Sequence, residues 1–176
     1  PGLELTGFAL LKVNGKTAVL VDAGVIRTAR GVHLSRRLSD LQRDFTALLE
    51  QHRVASAGVE KLFFTKNITT GMAVAHARGV VYAALGERGI LVREYTPSQV
   101  KKAVCGSGRA DKRAMTEMTR RLLGLREALR PDDATDAAAV ALCHVFANPD
   151  LMLPEPGEIR PLKHFARLSG NPRRKR

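Results

Sequence analysis

The chain has 176 residues, enough for one domain with a sizeable buried core. Its 29 Lys and Arg residues outnumber its 17 Asp and Glu residues, and the net charge of +12 favours a polyanionic partner, most often nucleic acid. No apolar run reaches membrane-spanning length and no signal-peptide pattern opens the chain, which argues against a membrane protein and predicts a cytoplasmic one. Cys105 and Cys143 stand in apolar contexts, which predicts buried free thiols rather than a disulfide.

The chain opens with the pattern of an antiparallel hairpin. Apolar runs over residues 7–13 and 17–21 flank Asn14-Gly15, a dipeptide that favours the tight hairpin turn. Asp22 and Gly24 predict a bulge or bend, after which the second strand continues.

Periodicity and helix-start signals predict the remaining elements. Leucines at helical spacing follow Ser35, the predicted N-cap of the first helix. Thr96-Pro97-Ser98-Gln99 is a capping box with proline at the first helical position, so another helix starts there. The predicted elements after the hairpin are a helix over residues 34–49, a strand over 54–60, a helix over 69–87, a strand over 89–94, and helices over 97–104, 111–123 and 131–148.

This order of elements predicts an α/β fold. A strand–helix–strand unit with helices on both faces implies a three-layer α/β/α sandwich built on a mixed sheet. We assign residues 1–149 to this domain. In residues 150–176 prolines cluster, periodicity vanishes and Arg and Lys dominate, which predicts a basic, extended or partly disordered tail. His164 and this tail are either DNA or partner contacts or simply solvated.

The start of the last predicted helix carries closely spaced acids. Pro131 suits a first helical turn, and Asp132 is a favoured N-cap. Asp133 and Asp136 are three residues apart, so both carboxylates project from one helix face, roughly 5–6 Å apart at Cβ. Unpaired carboxylates beside an apolar helix are costly, and a divalent cation would compensate them. The alternative is an N-cap with an ordinary surface acid.

Glu60 is the second acidic candidate because it ends a predicted strand, where catalytic groups of α/β folds gather. If that strand neighbours the helix that begins near Pro131, three carboxylates converge. Three acids without a His or Cys ligand indicate Mg²⁺ or Mn²⁺ rather than zinc. Two such ions, about 3.5–4 Å apart, support phosphodiester hydrolysis. The alternative for Glu60 is a salt bridge to one of the many basic residues.

Two further segments have compositions that favour nucleic-acid binding. In residues 99–112 two glycines would let backbone amides approach a phosphate, and several cations surround them, although a solvated basic loop has the same composition. Phe63 and Phe64 are consecutive and point to opposite sides of an extended chain. One of them can therefore stack on an unpaired base, although both also suit a core.

Several short motifs, in one order, together carry a family resemblance. They are Pro1-Gly2 with Thr6-Gly7-Phe8-Ala9, Val59-Glu60-Lys61-Leu62-Phe63, Lys66-Asn67, Ala77-Arg78-Gly79, Gln99-Val100-Lys101, Gly106-Ser107-Gly108-Arg109-Ala110-Asp111-Lys112, and Asp133-Ala134-Thr135-Asp136-Ala137. Over roughly residues 1–147 the sequence resembles RuvC-type Holliday-junction resolvases, which are crossover junction endodeoxyribonucleases of the RNase H-like superfamily.

The resemblance implies a homodimer that cuts two like strands of a four-way junction symmetrically with Mg²⁺, in recombination and repair. It implies that residues 73–84 belong to the dimer-forming helix and that a branch-migration motor is a further partner. The implied site residues are the metal-binding acids Glu60, Asp133 and Asp136, the basic residue Lys112 near the cleaved phosphate, the junction-intruding Phe63, and the DNA-contact candidates Asn67, Arg78, Lys101, Lys102 and Arg109.

One departure from the family pattern concerns the start of the chain. In the family an Asp at the end of the first, central strand precedes the turn that matches Pro1-Gly2. Glu4 lies past the turn and Asp22 lies near the predicted bulge, so both are poor substitutes. We therefore expect the first central strand to lie upstream, with an acid directly before Pro1, and expect the chain without it to bind DNA but cleave poorly.

Two other functions are compatible with the sequence, and His144 needs a separate assignment. A catalytically inert DNA-binding protein of the same fold is the main alternative, and a nuclease for RNA–DNA hybrids matches the residues around Lys112 less well. His144 lies eight residues after Asp136, about 12 Å along a helix, which is too far to share a metal. We predict a packing or surface role for His144.

Overall fold

The computed structural model describes residues 2–14, 17–62 and 68–148. None of the helices in these ranges is long and apolar enough to cross a membrane. The elements are β1 Leu5–Asn14, β2 Thr17–Arg27, α1 Leu34–Gln51, β3 Ser56–Glu60, α2 Ile68–Glu87, β4 Leu91–Tyr95, α3 Pro97–Cys105, α4 Lys112–Leu122 and α5 Asp132–Ala147.

The described strands form two pairs of opposite type. Strands β1 and β2 are antiparallel, as the hairpin signal predicts, whereas β3 and β4 are parallel. The predicted bulge lies slightly earlier than expected: Leu10 pairs with Asp22 and Leu11 pairs with Leu20, so Val21 is the extra residue. Gly24 pairs regularly with Phe8. Both strand types of the predicted mixed sheet are thus present, although the described residues form two separate pairs.

Two hydrophobic clusters place helices in two layers. One cluster joins the strands to α1 and α2 through fully enclosed side chains such as Leu41 and Leu85. The other joins Tyr95 at the end of β4 to α3, α4 and α5, with Leu142 at its centre. This arrangement agrees with the predicted α/β/α layering.

Helix α5 lies against both strand pairs. A Cβ added at Gly7 in β1 would lie 2.1 Å from the carbonyl oxygen of Asp133, and one added at Gly58 in β3 would lie 2.9 Å from the Cβ of His144. Contacts below 3.0 Å are essentially absent between real Cβ atoms and their neighbours. The missing side chains therefore allow α5 to approach both pairs closely and fix the acid-bearing end of α5 over β1.

The helix starts were predicted with mixed success. The Thr96 capping box is confirmed: its hydroxyl accepts from the Gln99 amide at 3.2 Å, and the Gln99 side chain accepts from the Thr96 amide at 2.8 Å. Ser35 as the N-cap of α1 is wrong, because His33 holds that position and accepts the Ser35 amide on Nδ1. Asp132 as an N-cap is also wrong. Pro131 precedes α5, and Asp132 already has helical backbone.

Both cysteines are free thiols, as predicted. Cys143 is buried on α5, whereas Cys105 at the end of α3 is only half-buried. Burial raises the pKa of both thiols, which keeps them protonated at neutral pH. Their environment therefore gives no reason to expect a reactive thiolate.

Candidate active site

The start of α5 and the start of α4 meet to form the charged centre of the site. Asp111 caps α4 by accepting the Ala114 amide at 2.8 Å, which places Lys112 on the first turn. The Lys112 ammonium lies 2.8 Å from the Oδ2 atom of Asp132. Because Asp133 and Asp136 also act electrostatically on Lys112, the structure brings this lysine to the acid-bearing turn of α5.

The carboxylates on this turn repel one another. Although the Asp136 side chain is open to solvent on one side, loss of hydration raises its pKa above the usual value. Lys112 opposes that rise, and the charges of Asp133 and Asp132 add to it. The hydrogen bond between Lys112 and Asp132 raises the pKa of the lysine and lowers that of the acid, so both stay charged. Three carboxylates against the Lys112 ammonium and the Arg130 guanidinium, which lies 3.9 Å from Asp132, still leave a net negative centre.

Carboxylate oxygens under mutual repulsion suit a hard divalent cation. The donor type at the α5 turn therefore fits such an ion, which the carboxylates of Asp133 and Asp136 could hold. Among residues 2–14, 17–62 and 68–148, however, no three acidic, His or Cys side chains are grouped so that they could hold a metal.

Glu60 lies at the end of β3 with its side chain exposed, as its position in the sequence predicts. Its backbone pairs with Tyr95 of β4. The α5 turn that carries the other acids lies over Gly7 in β1, which belongs to the other strand pair. The predicted convergence of Glu60 with Asp133 and Asp136 therefore stays a prediction.

Arg78 differs from its predicted role as a DNA contact. The residue is 8% exposed, and its guanidinium donates to the Glu60 carbonyl, to a carboxylate oxygen of Glu94 and to the Tyr82 hydroxyl. Because these protein groups occupy the guanidinium, Arg78 is not presented to a ligand. Helix α2 has apolar residues on all sides, which is typical of a buried helix, but no motif marks the protein groups that bind Arg78.

The glycine-rich loop after α3 is organised by internal hydrogen bonds. Gly106 has a φ of 75° and donates its amide to the Lys102 carbonyl at 2.9 Å. The Arg109 amide donates to the Ser107 hydroxyl at 3.3 Å, and the Ala110 amide to the Ser107 carbonyl at 3.3 Å. These three amides are therefore engaged by protein acceptors, and the suggestion that amides of this loop approach a phosphate stays a prediction for the others.

The basic side chains near this loop are at least partly exposed to solvent. Lys102 and Arg109 are exposed, and Lys101 is half-buried. Phe63 and Asn67 lie outside the described residues. The DNA-contact roles predicted for these residues stay predictions.

His144 is a packing residue, one of the two roles predicted for it. It is 6% exposed; Nε2 lies 2.9 Å from the Ser56 hydroxyl and Nδ1 lies 2.8 Å from the Tyr95 hydroxyl. Asn148 donates to the Tyr95 hydroxyl at 2.8 Å and to the His144 carbonyl at 2.7 Å. This network fixes α5 against β3 and β4, and so fixes the acid turn of α5 relative to the strand that ends in Glu60.

Sequence reasoning missed Asp132 as a partner of Lys112. It also missed the group formed by Tyr82, Glu94 and Arg78. Asp132 was assigned to capping because of its place beside Pro131, and no motif marks Tyr82 or Glu94. Their contacts join α4 to α5 and α2 to β4, and such pairings depend on tertiary packing.

The α/β fold, with its mixed strand pairing and flanking helices, is of the RNase H-like class. A solved structure described as T. thermophilus RuvC in complex with Holliday junction substrate is similar with a TM-score of 0.81 and 33% identity, over 85% of this chain and 91% of that one. A Thermus thermophilus RuvC structure is similar with a TM-score of 0.77 and 34% identity, over 83% of this chain and 90% of that one.

Sequence relatives identify the family. The model for crossover junction endodeoxyribonuclease RuvC matches residues 1–144. The protein of that name from Chloroflexus aurantiacus is 44% identical over 151 residues, 86% of this chain and 92% of the relative. The one from Thermotoga maritima is 41% identical over 148 residues, 84% of this chain and 88% of the relative. The chain belongs to the RuvC family of divalent-metal-dependent endonucleases, which confirms the resemblance read from the motifs.

Proposed function

We propose that this chain resolves four-way DNA junctions in recombination and repair by hydrolysing phosphodiester bonds in two like strands. The observation that carries this proposal is the acid turn of α5, with Lys112 held against Asp132 at 2.8 Å, in a protein of net charge +12. The overall charge attracts the DNA backbone. A protein that only binds DNA has no reason to gather carboxylates at one point of that surface, because they repel phosphate. A cleavage site does need such a group of carboxylates, because they bind the divalent cation.

We assign the metal ligands to Asp133, Asp136 and Glu60, with two Mg²⁺ ions as cofactor and Mn²⁺ as a substitute. When bound, the ions supply Lewis-acid stabilisation of the charge that develops on the phosphate. The chain contributes fixed geometry, since α5 holds two of the acids one turn apart. Lys112 keeps its proton and places a positive charge beside the phosphate to be cut.

The DNA contacts that we propose are mostly ionic. Lys101, Lys102 and Arg109 lie around the α3–α4 loop and suit phosphates of the strand leading to the site. Phe63 and Asn67 retain their proposed roles as the junction-intruding aromatic and a DNA contact. Binding should therefore weaken steeply as salt rises, because each phosphate contact releases bound counterions.

We further propose that α2 forms a homodimer. Its exposed positions recur at the spacing of a helix–helix seam and include small residues that permit close approach. A Cβ added at Gly79 or Gly86 would meet nothing within 4 Å. A two-fold dimer matches a substrate that is cut symmetrically. The exposed positions of this stripe are Met72, His76, Gly79, Ala83 and Gly86.

The remaining proposals rest on family resemblance and composition. They are a cytoplasmic location, a branch-migration motor as partner, and a division into a nuclease domain over residues 1–149 and a basic tail over residues 150–176. The tail lies outside the described residues.

A catalytically inert junction-binding protein is the second candidate. The observation that favours it is the lack, among the described residues, of a group of three metal ligands. Incubating the protein, expressed at its full natural length, with a synthetic four-way junction and a linear duplex, with and without Mg²⁺, separates the two. We expect paired cuts in the junction only when Mg²⁺ is present. Tight junction binding with intact strands in Mg²⁺ and in Mn²⁺ would establish the inert protein instead.

A further inference from the structure

Arg78 is a charged side chain enclosed by protein groups on three elements. Its guanidinium bonds the Glu60 carbonyl on β3 and the Glu94 carboxylate on β4, and lies 3.1 Å from the Tyr82 hydroxyl one turn along α2. It also lies over the Tyr82 ring, 5.2 Å from the ring centre. Burying a charge is costly unless it is paired and hydrogen-bonded. Arg78 is both paired, with Glu94, and hydrogen-bonded, so its guanidinium is held in this position between β3 and β4.

Tyr82 and Glu94 complete a closed network around this guanidinium. The Tyr82 hydroxyl donates to Glu94 at 2.6 Å. Burial and that hydrogen bond raise the pKa of Tyr82 to about 12, so the hydroxyl keeps its proton. The same hydrogen bond lowers the pKa of Glu94, which therefore remains an acceptor. Tyr82 and Glu94 therefore keep their donor and acceptor roles in the neutral pH range.

The group that this network fixes is the end of β3. On one side the parallel ladder continues past Glu60, where the Lys61 amide donates to the Tyr95 carbonyl at 2.8 Å. On the other side the Glu60 carbonyl accepts from Arg78. With its backbone held from two sides, Glu60 projects its carboxylate from a fixed point at the last residue of the strand.

We propose that Arg78 is a positioning residue that aligns Glu60 for the divalent cation, and that it does not contact DNA. The inference rests on the proposed function, because it takes Glu60 as a metal ligand. Lysine cannot replace Arg78, since a single ammonium cannot bond the Glu60 carbonyl, the Glu94 carboxylate and the Tyr82 hydroxyl in the planar geometry of a guanidinium. Residues that orient metal ligands typically change metal affinity or activity by about 10–100-fold when they are replaced.

The test compares Arg78→Lys with Arg88→Lys in the protein at its full natural length. Arg88 is a matched control on the same helix, because its guanidinium lies 3.4 Å from Glu50 and 3.3 Å from the Ala84 carbonyl, away from β3. Three quantities are measured: Mn²⁺ binding by electron paramagnetic resonance without DNA, single-turnover junction cleavage, and junction affinity against salt in a chelator. Glu94→Gln, which leaves Arg78 in place, provides a second variant should Arg78→Lys fold poorly.

We expect Arg78→Lys to weaken Mn²⁺ binding and slow cleavage by about 10–100-fold, with unchanged junction affinity and salt dependence. Glu94→Gln should shift both quantities in the same direction, and Arg88→Lys should shift neither. A loss of junction affinity with a salt slope reduced by about 1, and unchanged Mn²⁺ binding, would show a phosphate contact and overturn the inference. Wild-type Mn²⁺ binding and cleavage in both Arg78→Lys and Glu94→Gln would also overturn it.

The two proposals can fail separately. If the unmodified protein binds Mn²⁺ but leaves junctions intact, the proposed nuclease activity is wrong. Weaker Mn²⁺ binding by Arg78→Lys would then still support the positioning role. If the unmodified protein cuts junctions while Arg78→Lys matches it in every quantity, the nuclease activity stands and the positioning role fails.

Discussion

Gly7→Ala tests whether the close approach of β1 to α5 sets the catalytic geometry. The added Cβ would lie 2.1 Å from the Asp133 carbonyl oxygen and 2.7 Å from the carbonyl carbon. Reaching the 3.0 Å limit for such contacts requires a movement of about 0.9 Å. Both atoms are backbone, so no side-chain rotation can relieve the clash, and the first turn of α5 must move away from β1.

This displacement should affect stability modestly and cleavage strongly. Overpacking of this kind costs about 1–3 kcal/mol. A misplacement of about 1 Å in catalytic groups costs on the order of 100-fold in rate. We therefore expect Gly7→Ala to fold, to bind junctions in a chelator like the unmodified protein, and to cut them about 100-fold more slowly.

Denaturant unfolding, junction binding and single-turnover cleavage measure the three effects. Gly24→Ala is the control in the same hairpin, because its Cβ would meet only Phe8 ring carbons at 3.2 Å, and that ring can shift slightly. A folded Gly7→Ala protein that cuts junctions at the unmodified rate would refute the link between this contact and the site.

Three further changes test the site and the core. Asp136→Asn should abolish cleavage measured with a labelled junction, while binding in a chelator stays equal or improves, because a charge that repels phosphate is removed. The free energy of unfolding should fall as pH drops below about 6.5. Burial, and to a smaller extent the charge of Arg93, hold the pKa of His144 below that value in the folded protein, so the unfolded chain takes up the proton first. His144→Gln should lose this part of the pH dependence. Thr119→Val should raise the free energy of unfolding by about 1 kcal/mol, because within the described structure the Thr119 hydroxyl is buried without a hydrogen-bond partner.

Each of these expectations has a contrary outcome. Cleavage that survives Asp136→Asn would remove that acid from the reaction. A pH dependence below 6.5 that is identical in the protein and in His144→Gln would place the titrating group elsewhere. Destabilisation by Thr119→Val would show that the hydroxyl has a partner in the folded protein.

Local signals in the sequence predicted local structure well. The Asn14-Gly15 dipeptide gave the hairpin and the Thr96 capping box gave the start of α3, because both depend on residues close together in the chain. Ser35 and Asp132 failed as N-caps because composition alone cannot decide between adjacent residues that can all begin a helix. The bulge was misplaced for a similar reason, since the register of a hairpin depends on packing along its whole length.

The candidate site was only partly predictable. The positions of Asp133 and Asp136 at the start of α5 and of Glu60 at the end of β3 were predicted correctly, whereas their role as metal ligands stays a prediction. The burial of Arg78 and the pairing of Lys112 with Asp132 could not be predicted from the sequence, because each depends on how separate elements pack. A positive residue in a basic protein suggests DNA contact by default, and only the fold shows when its charge is used internally.

Helix α5 carries its acids near one end and His144 eight residues later, about 12 Å along the axis. A hydrogen-bonded helix is stiff, so a tilt imposed at Ser56 or Tyr95 is transmitted along the rod to the carboxylates. We therefore expect substitutions at Ser56 or Tyr95, which lie far from the acids of α5, to change the cleavage rate while leaving DNA affinity unchanged.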